Sequence, residues 1–333
     1  MSSSSDEKKT ILAMPVIAAS YIGPALAPNL DAAWDEAQLP LNPDDLVQKI
    51  MGQPMRRAGR FIKMVCCGAL ACLKKVPPGY LKTKKIGIFL ATGLGNVDEI
   101  LPFITQVFKH EGGFPSPNQF ANSVSNAAAF FLARICEIKG VILTISEEEL
   151  SFESALWLAQ SYLENGEIDL ALVGGCDVFT PMVEEYHERM NLKPDNARLL
   201  PMGEVSSWLL QWKCNEEKIG DILAVEFGSK LVPPEEVSAS ENILSASEKL
   251  IAKTASSGRK RFLLPGFRMD KTDTHFWKQK GWEVDDYLPY CGIHPTAAAF
   301  GIARAMQKNT ATIFVHYNCH ASGKQVFVAA STK

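Results

Sequence analysis

The chain has 333 residues, 47% of them hydrophobic and 21% charged, an ordinary globular composition with enough length for two domains or one duplicated one. Its 34 basic and 37 acidic residues leave a net charge of -3 and are well mixed, which argues against nucleic acid as the main partner, because phosphate binding asks for a basic domain. Eight cysteines form no C-x-x-C pair and keep no regular spacing, so neither a zinc site nor a secreted disulfide framework can be read from them, and a reducing cytoplasm is expected.

Residues 1–9 (MSSSSDEKK) are a polar tail with nothing to bury. The apolar stretch after Lys8-Lys9 resembles a secretory leader, but Asp6 and Glu7 dilute its basic region and Pro15 and Pro24 interrupt it; no leader is expected. The longest other apolar run, residues 64–73, is too short to span a bilayer, so no membrane span is expected. Strands are expected at 11–19, 85–91, 140–145, 170–173, 206–212, 222–227, 261–264, 311–317 and 325–330. Helices are expected near 44–75, 96–110, 121–138, 152–165, 241–254 and 296–308. Apolar strands separated by helices imply largely parallel sheets covered on both faces. Asn165-Gly166 and Pro233-Pro234 read as turns, the second close to a division of the chain into halves at 10–215 and 216–333. Within 121–138, NAAAFFLARI is apolar nearly all the way round, which suits either a central core helix or one facing a partner.

Several segments, taken in order, carry a resemblance. IGIFLATGLGN, PSPNQFANSVSNAAAFFLA, GVILTIS, ENGEIDLALVGGCDVFTP and GEVSSWLLQ are similar to the N-terminal half of a β-ketoacyl synthase. IHPTAAAFGIARAM resembles the histidine-bearing helix start of its second half. The resemblance covers nearly all of residues 10–331, with a shortened C-terminal half. It implies an α/β thiolase-like fold, a duplicated βαβαβαββ unit layered α-β-α-β-α, and a dimer that handles acyl chains tethered to acyl carrier protein.

A ketosynthase needs a cysteine at a strand-to-helix turn, where the helix N-terminus favours the thiolate, and two histidines to stabilise developing negative charge. At family spacing the nucleophile position falls on Glu149, a poor substitute for a thiolate. Ser146-Glu147-Glu148-Glu149 also fits a capping box, with Ser at the N-cap and Glu at N3, and the acids suit the helix dipole. His294 matches the second family histidine. The place of the first is taken by Leu263-Leu264-Pro265-Gly266-Phe267, and the upstream lysine is absent from residues 287–290. The C-terminal loop becomes Asn318-Cys319-His320-Ala321-Ser322-Gly323. Cys176 reads as a small buried residue, and Cys319 and His320 as neighbours facing opposite ways. His110, His187, His275 and His316 give no ligand spacing, and no metal is expected.

A ketosynthase-like chain without nucleophile or first histidine resembles the chain-length factor of type II polyketide synthases, closest to the short Gram-negative factors of anthraquinone or aryl-polyene pathways. The resemblance implies a non-catalytic subunit paired with a catalytic ketosynthase and shaping the tunnel for the growing chain. No cofactor is bound directly; the phosphopantetheine arm comes with the acyl carrier protein. Gln119, Phe120, Asn122, Val124 and Phe130 are candidates for tunnel or interface, with core packing as the alternative for the phenylalanines. Arg56, Arg57, Arg60 and Lys63, at helical spacing, are candidates for carrier-protein contact, with a solvated face as the alternative. Other readings are a malonyl carrier-protein decarboxylase, an enzyme with a relocated thiol, and a homodimeric scaffold.

Overall fold

Each of the nine apolar runs forms a strand. The computed structural model describes residues 13–23, 42–77, 79–109, 116–180, 203–212, 217–229, 259–266, 268–269, 271–308 and 310–333. Its strands are β1 (Met14–Ile22), β2 (Ile86–Ala91), β3 (Ile142–Ile145), β4 (Leu170–Asp177), β5 (Val205–Trp212), β6 (Gly220–Ser229), β7 (Lys260–Pro265), β8 (Glu283–Val284), β9 (Thr312–Cys319) and β10 (Lys324–Thr332). Only the two-residue β8 has no apolar run to announce it. The polar tail, the helix expected at 241–254 and the Pro233-Pro234 turn lie outside the described residues.

Two expected helices are each broken in two. The run at 44–75 becomes α1 (Pro43–Met51) and α2 (Arg60–Leu73), because Gly52 ends α1 in a left-handed turn at φ 73° and Pro54 follows. The run at 121–138 becomes α4 (Pro117–Ser123) and α5 (Ala127–Ile135), separated where Val124 turns extended. The remaining helices are α3 (Val97–Lys109), α6 (Ser151–Glu164), α7 (Lys271–Gln279), α8 (Leu288–Cys291) and α9 (Ala297–Met306). No helix of the described residues is long and apolar enough to cross a membrane.

The strands form one sheet in the order β3-β2-β4-β5-β1-β6-β10-β9-β7-β8. Read outward from the centre, each half runs first, fifth, fourth, second and third of its own strands. The pairings repeat as well: β2 is parallel to β3 and β4, as β7 is to β8 and β9, and the β4–β5–β1 and β9–β10–β6 contacts are antiparallel. The duplication, too faint to prove from side chains, is written in the topology. It also corrects the largely parallel expectation: five of the nine pairings are antiparallel.

Three apolar cores separate the layers. A central one collects α6 and α9 with inward residues of both halves, from Phe89 and Val173 to Phe314 and Val328. An outer one packs α2 and α5 on the first half, and a smaller one gathers Trp277 and Trp282 on the second. All ten residues of α9 are buried, Arg304 among them through its pair with Asp285, so the helix's polar end groups need internal partners. Asp177, the last residue of β4, supplies them. One of its carboxylate oxygens accepts from the Thr92 hydroxyl and the Gly93 and Leu94 N–H groups at 2.8–3.0 Å. The other accepts from the Thr296 N–H at 3.0 Å and hydroxyl at 2.8 Å, at the start of α9.

Replacing Asp177 strands several buried donors, each costing about 1–3 kcal/mol when left unpaired. Asp177→Ala should lower the unfolding free energy by about 3 kcal/mol or more in a urea titration, and Asp177→Asn by less, since an amide oxygen still accepts. A loss under about 0.5 kcal/mol for Asp177→Ala, the range of ordinary surface changes, would show that the clamp is dispensable.

Candidate functional site

The C-terminal ends of β2, β3, β4, β7 and β9 gather with the start of α9 at one end of the sheet, where strand ends in layered α/β folds converge on a site. Gly93 marks the meeting point. A Cβ there would lie 2.2 Å from the Pro295 Cβ and 3.3 Å from the Glu148 carbonyl oxygen, so only glycine lets the two helix starts come together.

Glu149 does not cap α6. The chain enters through a single 3-10 turn (Glu148–Leu150), with Glu148 left-handed at φ 45°. Ser151, not Ser146, organises it: its hydroxyl accepts from the Glu147 N–H at 2.8 Å and donates to the Glu148 carbonyl at 2.6 Å. The Glu149 side chain is 2% exposed and points inward, where one oxygen accepts from Arg268 Nη2 at 2.5 Å and Nε at 3.2 Å. Its other oxygen lies 3.2 Å from His320 Nε2. His320 also meets the exposed Glu148 carboxylate at 2.6 Å. The chain thus places a buried ion pair where the resemblance asks for a thiolate. Arg268 follows directly on the histidine-free segment at the end of β7.

Behind Glu149 lies a second polar pair. Glu153, one turn along α6, meets His316 Nε2 at 2.9 Å, while His316 Nδ1 donates to the Leu264 carbonyl at 3.0 Å. Asn318 donates to both Glu153 and the Glu149 carbonyl at 2.9 Å. His316 therefore belongs with the site. The signal was present in the sequence: Glu149 and Glu153 share a helix face at i, i+4, and His316 and Asn318 share a strand face at i, i+2.

His294 is buried at the start of α9. Its Nδ1 lies 3.4 Å from the Thr296 hydroxyl and 4.0 Å from Asp177, and its Nε2 has no hydrogen-bond partner. Burial depresses its pKa to about 3, and the Asp177 carboxylate, itself pushed up by burial and already holding five donors, does not offset that. Burial also pushes the Cys176 and Cys291 thiols well above the ordinary range, Cys67 and Cys136 to about 11, and Cys72 to about 12. Cys319 alternates with Asn318 and so lies on the strand face of Val315 and Tyr317, which pack on Trp277 and Trp282.

The remaining candidates separate by location. Phe120, Val124 and Phe130 are 58%, 42% and 54% exposed, on the same flank as the edge strand β3, whose Ile142 is 38% exposed. Gln119 is half-buried beside them. Asn122 is buried and structural, donating to the Arg57 carbonyl at 3.0 Å and accepting from Asn96 through its own carbonyl. Arg56 and Arg57 lie exposed in the turn before α2, so the helical spacing expected for the four cations holds only for Arg60 and Lys63. Arg60 is turned inward onto Glu204 and the Phe179 carbonyl, and Lys63 pairs with Asp44 at 2.7 Å. His110 and His187 lie outside the described residues, and His275 bonds Gln279 of its own helix.

No protein-family model matches the chain, and no curated protein matches its sequence. Solved structures do match. The ishigamide ketosynthase/chain length factor aligns with a TM-score of 0.72 at 12% identity, over 96% of this chain and 99% of that one. A type II PKS acyl-carrier protein in complex with its ketosynthase bound to the hexaketide aligns at 0.67 and 13%, over 96% and 99%. A β-ketoacyl synthase from Burkholderia phymatum STM815 aligns at 0.65 and 13%, over 84% and 83%. At such identities the likeness shows the fold, which is the thiolase-like fold of ketosynthases.

The buried neutral His294 has a pH consequence. Its folded pKa lies below the unfolded value, so the unfolded chain binds the extra proton, and stability falls as pH drops from about 6.5 toward 3. Between pH 7 and pH 5 the wild type should lose on the order of 2 kcal/mol that His294→Asn does not lose. Equal acid losses in urea titrations of the two proteins would refute this.

Proposed function

We propose that the chain is the non-catalytic member of a ketosynthase pair, a chain-length factor that shapes the tunnel of a catalytic partner during carrier-protein-dependent condensation of malonyl units. The observation that carries this reading is Glu149, held by Arg268 at the position where a ketosynthase places its cysteine. A buried carboxylate in an ion pair is a weak nucleophile and forms no stable acyl thioester. The segment Leu263–Phe267, which has no histidine, takes the place that the resemblance gives the first one, so the set needed for malonyl decarboxylation is also incomplete.

The exposed apolar flank of Phe120, Val124, Phe130 and Ile142, beside an edge of β3 that has no strand partner among the described residues, supports the pairing. Obligate interfaces of this kind bury about 2,000–5,000 Å². Gln119, Phe120, Val124 and Phe130 then lie at the subunit boundary, where bulk limits chain growth sterically. Asn122 positions the segment from behind. The phosphopantetheine arm of the carrier protein serves the partner's cysteine, and Arg56 and Arg57 are the exposed cations available to that acidic carrier. Two of the structural neighbours agree with this reading, one a ketosynthase/chain length factor and one a carrier protein in complex with its ketosynthase.

Co-expression with a cysteine-bearing ketosynthase, followed by size exclusion and product profiling, tests the reading. The isolated chain should make no β-ketoacyl product, and Glu149→Cys should not create the activity. Phe130→Asp with Ile142→Asp should dissociate the pair, whereas Phe120→Ala should preserve the pair and lengthen its products. A stable homodimer indifferent to the ketosynthase would point to a scaffold, and acylation of the isolated chain would overturn the proposal.

A further inference from the structure

Beyond the function proposed above, we infer that Glu148, Glu149 and His320 form a binding site for a divalent transition-metal ion of the zinc class. Their donor atoms, two carboxylate oxygens and one imidazole nitrogen, all lie within 4.8 Å of one another. Glu149 Oε2 is buried and has no hydrogen-bond partner, and it faces His320 Nε2 across 3.2 Å. Two ligands bound to one ion at zinc-like distances of about 2.0–2.2 Å stand roughly 3.3 Å apart in tetrahedral geometry. The Glu149–His320 spacing is already there. The Glu148–His320 spacing of 2.6 Å must open by less than about 1 Å. The Glu148 side chain, 72% exposed, is free to do so and leaves the ion a path from solvent.

The surroundings divide the charges as such a site requires. Arg268 holds the other Glu149 oxygen, orienting the carboxylate without occupying the atom that faces the site. Lys324 is engaged by Glu147 and does not compete for Glu148. On binding, His320 changes tautomer: its proton moves from Nε2, which takes the ion, to Nδ1, for which the Ser322 hydroxyl at 2.8 Å is an acceptor. The exposed Ser322 N–H, now 3.1 Å from Nδ1, then turns to water. An imidazole with two carboxylates suits Zn²⁺, Co²⁺ or Mn²⁺, and the nitrogen donor argues against Mg²⁺ and Ca²⁺. Three protein ligands leave coordination positions for water.

The test uses the full chain after chelator treatment and dialysis, without any partner protein, so its outcome is independent of the ketosynthase reading. Co²⁺ is titrated while visible d–d absorption is followed, and Zn²⁺ is titrated by calorimetry. One ion per chain should bind, with Zn²⁺ displacing Co²⁺ and raising the thermal midpoint. His320→Ala, Glu148→Gln and Glu149→Gln should each weaken binding at least about tenfold, while Glu164→Gln, at the far end of α6, should not. Circular dichroism checks folding. Should Glu149→Gln fail to fold, the more exposed Glu148 and His320 variants decide. The absence of saturable binding up to about 100 µM ion, or equal binding by all variants, would overturn the inference and leave His320 as a proton-bearing partner of the two carboxylates.

Discussion

The five hydrogen bonds of Asp177 are the constraint on which the arrangement depends. A carboxylate buried so deeply is tolerable only when every lone pair is used, and here the donors come from both halves of the duplicated fold. Asp177 ends the fourth strand of the first half and holds the helix start of the second. The reverse exchange occurs across the pseudo-twofold. Asn318, in the fourth strand of the second half, donates to the Glu149 carbonyl and the Glu153 carboxylate in the helix of the first. Each half thus fixes the other's central helix, and the site lies where the two exchanges meet, around Gly93.

That geometry explains why the site tolerates so much buried charge. Glu149 is met by Arg268 and His320, Glu153 by His316 and Asn318, and His316 by Glu153 and the Leu264 carbonyl, so removing any one leaves a partner uncompensated. Buried ion pairs of this kind contribute little net stability against well-packed apolar residues of the same volume. Their value is positional. The Arg268–Glu149 pair joins the end of β7 to the start of α6, across the halves, at a place that packing alone would leave open.

Much of the fold was legible in the sequence, and the reasons are local. The strands follow apolar runs such as LALVGG and FLLP, buried on both faces and therefore continuous rather than alternating. The turn at Gly166 and the buried Cys176 were equally plain. The broken helices were not, because NSVSNAAAFF keeps a helical apolar pattern through the residue where Val124 turns extended. In the site, Glu149 and His294 were found by spacing, but the partners of Glu149 were not. Arg268 and His320 lie 119 and 171 residues further along the chain, and no local pattern reports a pairing made by the topology. The capping-box reading failed for a related reason. SEEE satisfies the local rule, but Glu149 turns inward to a cation 119 residues away, and the turn is closed instead by Ser151, which accepts from the Glu147 N–H.

The edge strand and the site are mechanically one piece. β3 ends at Ile145, and the 3-10 turn that carries Glu148 and Glu149 begins three residues later. Among the described residues β3 pairs on one side, with β2, through the register Ile88–Ile142 to Ala91–Ile145. β2 in turn runs into Thr92–Leu94, the loop that Asp177 grips. Among the described residues the other edge of β3 has no strand partner and lies beside exposed Ile142 and Phe130, a combination that proteins normally cover. Whatever covers it completes the sheet next to Glu149, and any shift of β3 reaches the site through a connection too short to absorb it. An exposed apolar flank and a site held by an ion pair therefore share one short segment of chain.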